Sequence, residues 1–173
     1  DFPGMDSAIE IIDDARRSKQ KIAVYGDYDA DGITSTVALT RCLRSIGGNT
    51  VYYIPNRFRE GYGMNKDAII TLLHDDVRLI ITCDCGISNT SEIKLAKESG
   101  IRVIVTDHHS IPDNLPPADV ILNPKLLFPE HPAYNLSGCG MAYFLCRGLL
   151  EHYGKSELHT EYFDLVALSI IAD

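Results

Sequence analysis

The stretch Tyr25-Gly26-Asp27-Tyr28-Asp29-Ala30-Asp31-Gly32 sets three carboxylates at alternate positions. Charges of one sign held so close repel, and a divalent cation is the counter-charge that hard oxygen ligands suit. A solvated acidic turn would use the same residues, because Asp and Gly favour turns through local hydrogen bonding. Two further groups bear on the choice: Asp84, and the run Asp107-His108-His109. Each has an ordinary explanation taken singly, a helix cap for Asp84 and a core or surface place for the histidines. What joins them is where they fall relative to the elements that carry them.

The apolar run Lys21-Ile22-Ala23-Val24 reads as a strand leading directly into the acidic loop, and residues 33–46 read as the helix that follows, stopped by Gly47-Gly48. Residues 49–54, 77–83, 101–106 and 120–122 read as further strands. Between and around them, residues 5–19, 65–74, 89–99, 138–153 and 157–172 carry apolar positions at helical spacing. Asp6 and Ser7 are candidate caps for the first helix. On the last helix, Phe163, Val166, Ala167 and Ile170 form the face expected to pack on the sheet. Strands alternating with helices imply an α/β fold: a parallel, Rossmann-like sheet of about five strands with helices on both faces.

In such a sheet the carboxyl ends of the strands lie on one edge, where ligand sites form. Asp27, Asp29 and Asp31, then Asp84, then Asp107, His108 and His109 all follow strand ends, so they are expected to meet there. Carboxylates with one or two imidazoles suit Mn2+ or Mg2+ better than zinc. Cys83 and Cys85 flank Asp84, but their one-residue gap lacks the usual zinc spacing, and Cys42, Cys139 and Cys146 sit in helical patterns. One or two cations, in the two-metal case about 3.5–4 Å apart with a shared carboxylate, would activate a water against phosphorus. With no Walker-type phosphate loop and no convincing Ser or Cys nucleophile, metal-assisted phosphoester hydrolysis is the reaction class these residues point to.

The 173 residues are enough for one domain with a sizeable core, and 45% hydrophobic with 23% charged residues is ordinary globular composition. No apolar run reaches a membrane span, and the first residues show no basic-then-apolar leader, so no membrane association is expected. Five cysteines without a disulfide-framework spacing favour a reducing cytoplasm. A net charge of −8 argues against coating nucleic acid by bulk electrostatics, although an enzyme whose acids hold cations escapes that argument.

Asp27-Tyr-Asp-Ala-Asp-Gly, Asp84-Cys-Gly-Ile, Asp107-His108-His109 and the terminal Ala172-Asp173 resemble, in order, the four motifs of the DHH phosphoesterase superfamily. Residues 56–63, Asn-Arg-Phe-Arg-Glu-Gly-Tyr-Gly, and Ser137-Gly138-Cys139-Gly140 further resemble its RecJ branch of single-strand-specific 5′-to-3′ DNA exonucleases. The similarity spans nearly the whole chain. It implies that Asp29 ligates one metal, that Asp84 bridges both, and that Asp31, His108 and Asp173 ligate the other, with Asp27 a supplement to the first. His109 would face the scissile phosphate and Asp107 would orient the histidine pair. A pyrophosphatase of the superfamily would carry a His near Tyr25, and this chain has none there.

Arg57 and Arg59 are natural phosphate contacts, their guanidinium fork matching phosphate oxygens; for Arg59 an ion pair with Glu60 is the alternative. Gly61 and Gly63 would let the backbone turn, and Tyr62 would either stack on a base or be buried. Ser137, Gly138 and Gly140 open a helix whose amino end would receive phosphate, or serve as an ordinary cap with close packing. His74, His131, His152 and His159 are assigned no role. The resemblance implies that residues 1–173 are the DHH catalytic domain of something longer, weakly active or non-processive alone, with single-stranded nucleic acid as substrate. A phosphodiesterase for short oligonucleotides or cyclic dinucleotides, and a non-catalytic scaffold, are the alternative functions. Retained acids and histidines weigh against the scaffold.

Overall fold

The computed structural model of the protein describes residues 2–172. Among the described residues a single parallel sheet is built from β1 (Lys21–Tyr25), β2 (Asn49–Tyr53), β3 (Val77–Cys83), β4 (Arg102–Thr106) and β5 (Val120–Leu122), in the order β2-β1-β3-β4-β5. The helices are α1 (Met5–Arg17), α2 (Ala30–Ser45), α3 (Lys66–His74), α4 (Thr90–Glu98), α5 (Gly138–His152) and α6 (Phe163–Ala172).

The central strands are apolar on both faces because both faces are covered. Ile22 to Tyr25 on β1 and Leu79 to Cys83 on β3 are all buried, as a parallel sheet between two helix layers demands. On one side Ile22, Val24, Leu79 and Ile81 pack with Ala8 and Ile12 of α1, Ala38, Leu39 and Leu43 of α2, and Leu145 and Leu149 of α5. On the other, Ala23, Ile80, Val103 and Val105 pack with Ala68, Ile69 and Leu72 of α3 and Ile93 and Ala96 of α4. The chain leaves β1 toward β2 and returns through α3 to β3 on the opposite flank. The crevice between the carboxyl ends of β1 and β3 is therefore the point where the strand order reverses, the place where open sheets of this order hold ligands.

Local details differ from the sequence reading at three places. Helix α1 starts after Gly4 in a left-handed turn (φ 83°), with no side-chain cap from Asp6 or Ser7. The expected helix over 157–172 is split: Ser156–Tyr162 winds as a 3-10 helix that buries Tyr162, and α6 begins only at Phe163. The expected core face of α6 is the largest departure. Phe163 and Ile170 are 50% and 64% exposed, while Ser169 alone among the described residues of α6 is buried.

The turn from β1 into the acidic loop has no room for a side chain at Gly26. A Cβ there would overlap Thr36 Oγ1 and come within 3.1 Å of the Gly32 carbonyl. Gly26→Ala is expected to lower stability by about 1–3 kcal/mol, the usual range for forced overpacking. Chemical denaturation measures it; a loss below ~0.5 kcal/mol would show that the loop yields freely.

Candidate metal centre

Helix α2 begins inside the acidic loop. Asp29 is its N-cap, with Oδ1 accepting from Gly32 N at 2.9 Å, and Asp31 lies in its first turn. Asp27 is buried against the end of β1, and Asp29 is exposed at the rim. Across the crevice, Asp84 follows β3 in the left-handed region at φ 60°, a conformation seldom taken by residues with a Cβ and concentrated at functional sites. That backbone geometry turns its carboxyl into the crevice. Asp27, Asp29 and Asp84 each offer an oxygen within 4.8 Å of the others, and Asp84 forms a second such set with His108 and His109.

Asp31 is placed differently. Its Oδ2 accepts from Gly138 N at 2.7 Å and its Oδ1 from Cys139 N at 2.8 Å, so the carboxylate itself occupies the amino end of α5. Favourable charge placement at a helix start accounts for the burial of this acid. Of the two readings of Ser137, Gly138 and Gly140, phosphate site or cap with close packing, the contacts are those of the second, with the Gly138 and Cys139 amides engaged by Asp31. Ser137 Oγ caps the helix through Gly140 N at 3.1 Å. Gly138 serves close approach: a Cβ would lie 2.7 Å from Asp84 Cβ and 2.9 Å from Asp31 Oδ2.

The histidines stand on a buried anchor. Asp107 Oδ1 accepts from His108 N (2.7 Å) and His109 N (3.2 Å) and lies 2.7 Å from His109 Nδ1, while Oδ2 accepts from Ile87 N at 2.9 Å. Burial pushes Asp107 up, but the His109 and Ile87 hydrogen bonds outweigh it and hold it below the usual carboxylate range. His108 Nε2 lies 3.0 Å from Asp84 Oδ1 and 3.6 Å from Asp31 Oδ2, bridging the two sides of the crevice. Burial pulls His108 down, yet the neighbouring Asp84 more than compensates and the net direction is up. Burial drives Asp84 up to about 7, against the pull of His108 and with the push of Asp31 and Asp29. Asp27 is raised as well, chiefly by burial.

Residues 56–63 form a loop beside this centre, pinned by Glu60. Its carboxylate takes the Tyr53 hydroxyl, Asn56 N at 2.7 Å and Asn65 Nδ2 at 3.0 Å, so Glu60 turns inward and is engaged away from Arg59. Gly61 and Gly63 both have positive φ, as the tight return requires. Arg57 lies over the Tyr28 ring at 5.3 Å, beside the acidic loop. Tyr62, 55% exposed, stands edge-on to His109 with its hydroxyl 3.3 Å from Nε2. A small cavity of about 100 Å³ opens between Tyr62, Ile87, Asn89 and His109. The larger cavity, about 380 Å³ between α1, α5 and residues 127–133, shares no lining residue with the centre. Asp173 lies outside the described residues.

A cation fits this donor set on two counts. The donors are carboxylate oxygens with imidazole nitrogen, the hard set that Mn2+ and Mg2+ take. Moreover Asp27 Oδ1 and Asp84 Oδ1 are buried without a hydrogen-bond donor of good geometry, although His108 Nε2 is near the latter. Buried acceptors are normally satisfied, so Asp27 Oδ1 without a donor, and Asp84 Oδ1 with only the His108 imidazole beside it, leave room for a positive ligand.

The DHH family, N-terminal domain, matches residues 21–170. This chain belongs to the DHH family. Single-stranded-DNA-specific exonuclease RecJ of Bacillus subtilis is 41% identical over all of the chain, and that of Haemophilus influenzae 38% over 98% of it. The chain spans only 21% and 31% of those two relatives' lengths. A crystal structure of exonuclease RecJ bound to manganese superposes with a TM-score of 0.90 at 37% identity, covering all of this chain and 44% of the other. RecJ of Thermus thermophilus in complex with Mn2+ follows at a TM-score of 0.84 and 35% identity, over 99% of this chain and 24% of the other. Five parallel strands with the crevice between β1 and β3 are thus the DHH fold, as the sequence motifs imply.

Two contributors to this DHH site carry no chemistry legible from spacing. Tyr28, beneath Arg57, is hidden between the acids, and Ser169 sits in an otherwise apolar helix. The raised Asp84 has a consequence for the metal-free protein. A carboxyl whose folded value lies above its unfolded one contributes stability that is complete below the ordinary value of 3.8 and lost as pH climbs to about 7. In chelator, the parent is expected to lose stability relative to Asp84→Asn across that window, then level off. Thermal unfolding of both at about pH 4.5, 6 and 7.5 checks this; a difference that does not change with pH would contradict the burial of the charge.

Proposed function

We propose that this chain is the catalytic DHH domain of a RecJ-type exonuclease that hydrolyses single-stranded DNA from the 5′ end, with Mn2+ or Mg2+, in repair or recombination. The observation that carries the reading is the convergence of Asp27, Asp29 and Asp84, and of Asp84 with His108 and His109, on one crevice. The identity to RecJ exonucleases, and RecJ crystal structures holding Mn2+ or Mg2+, support the metal and the substrate class.

In this reading Asp29 and Asp27 would hold one cation, Asp31, His108 and Asp173 would hold the other, and Asp84 would serve both. Such cations supply Lewis-acid stabilisation of the phosphodiester oxygens and acidify the attacking water. The remaining work falls to the chain itself. Asp107 fixes His109 through Nδ1, so its Nε2 points to the half-exposed side where substrate enters. As the water oxygen attacks phosphorus, the P–O3′ bond breaks and the departing oxygen takes a proton offered at His109 Nε2. Tyr62 holds that nitrogen in place before substrate arrives and becomes a stacking face once a base displaces it. Arg57 and Arg59 grip the phosphates next along the strand.

No helix among the described residues is long and apolar enough to cross a membrane. Five free thiols support a reducing, cytoplasmic setting.

The test uses the full-length protein with Mn2+ against a 5′-phosphorylated single strand, a duplex, a dinucleotide and pyrophosphate. Mononucleotides are expected from the single strand. Asp84→Ala is expected to lower the rate by more than about 100-fold, since even partners behind metal ligands cost 10–100-fold. His109→Ala should cost about 10²–10⁴-fold, the range for a positioned acid. Preference for the dinucleotide would instead assign the chain to oligonucleotide or cyclic-dinucleotide turnover, and full activity of Asp84→Ala would end the metal reading.

A further inference from the structure

Helix α6 buries the residue that a hydrophobic pattern would leave outside. Phe163, Leu168, Ile170 and Ile171 are 50–83% exposed, yet Ser169 is fully buried. Its hydroxyl lies 2.6 Å from Asp31 Oδ1 and 2.6 Å from Ser137 Oγ. One hydroxyl hydrogen cannot serve both, and a carboxylate only accepts. Ser169 therefore donates to Asp31, Ser137 donates to Ser169, and Ser137 Oγ accepts from Gly140 N. The result is a directed chain of hydrogen bonds from the first turn of α5, through α6, to the carboxylate.

We infer that Ser169 is a positioning residue for the metal centre, acting through Asp31. Counting acceptor sites shows how. Asp31 Oδ1 has both lone pairs engaged, by Cys139 N and Ser169. Oδ2 has one engaged, by Gly138 N, and its other side faces His108 Nε2 at 3.6 Å. With three donors fixing the carboxylate in plane and rotation, a single acceptor direction is left, and it points into the crevice. Two backbone amides alone lie on one helix end and allow the carboxylate to rock. The third donor comes from a different helix and removes that freedom. Groups that orient metal ligands commonly account for 10–100-fold in affinity. The same bond ties α6 to the site, so α6 and cation occupancy bias one another reciprocally.

This inference rests on the reading of Asp31 as a metal ligand, and the experiment separates the two. Mn2+ affinity of the full-length protein is measured by electron paramagnetic resonance or calorimetry for the parent, Ser169→Ala, Asp31→Asn, the double variant and Asp84→Ala. Ser169→Ala is expected to weaken Mn2+ binding about 10-fold in the parent background and less than twofold in the Asp31→Asn background, with Asp84→Ala abolishing it. Hydrogen exchange of residues 163–172 is expected to quicken in metal-free Asp31→Asn, which a purely local packing role for Ser169 would not produce. Unchanged Mn2+ affinity in Ser169→Ala, or an equal loss in both backgrounds, overturns the inference while Asp84→Ala still upholds the metal centre. Mn2+ binding that survives both Asp31→Asn and Asp84→Ala would overturn the metal reading itself.

Discussion

Negative charge crowded into a closing crevice is the constraint that the rest of this structure answers. Two unit charges about 4 Å apart repel by roughly 4 kcal/mol at the effective dielectric of a protein site. A domain of this size is stable by only about 5–15 kcal/mol in all. Asp27, Asp29, Asp31 and Asp84 cannot all be bare anions there without compensation. The fold compensates Asp31 with the amino end of α5 and Ser169, and Asp107 with the histidine amides, His109 and Ile87 N. Asp84 and Asp27 receive less, and burial raises both. The protein's own donors thus fix Asp31 and Asp107 most fully and leave Asp27 and Asp84 with the least compensation.

That division explains otherwise odd backbone and sequence choices. Asp84 takes a left-handed conformation at the end of β3 instead of continuing the strand, and its oxygen lies beside His108. Gly138 is glycine because α5 must start in contact with two acids, with no space for a methyl group between them. His108 bridges Asp31 and Asp84, so one imidazole carries part of the load when no metal is present. Each arrangement lowers local repulsion without filling the crevice.

The order of strands and the convergence of acids were legible in the residues because both rest on short-range pattern. Apolar runs such as Leu79-Ile80-Ile81 bounded by turn residues mark buried strands, and parallel topology then carries their ends to one edge. What was not legible is which distant groups pair. The amino end of α5 could be read as a phosphate site or as a cap, because nothing in the sequence links Gly138 to Asp31, more than a hundred positions earlier. An ion pair of Glu60 with Arg59 stayed open as an alternative because the partners of Glu60, Tyr53 and Asn65, lie on a strand and a helix cap outside the motif. For α6 the failure has a different cause: periodicity reports where apolar side chains recur and is silent on a serine held by a carboxylate.

The same logic separates the buried from the exposed parts of the site. The acids sit on strand ends and helix starts, elements locked by two cores. The arginines and Tyr62 sit on residues 56–63, which the Glu60 carboxylate ties to Tyr53 and Asn65, the Tyr25 hydroxyl ties to Gly63 O at 3.2 Å, and Tyr62 and Arg57 hold against His109 and Tyr28. Tyr25 itself is buried at the end of β1, one residue before the acidic loop, and stacks on Tyr53 with ring centroids 5.2 Å apart. The loop is therefore anchored on the strand that leads into Asp27, which sets its distance from the acid cluster, while Phe58 at its tip is 94% exposed. On the proposed reading of a polymer substrate, the scissile phosphate would meet this rigid centre at the moment of cleavage, and the flanking nucleotides would pass along the loop between cleavages.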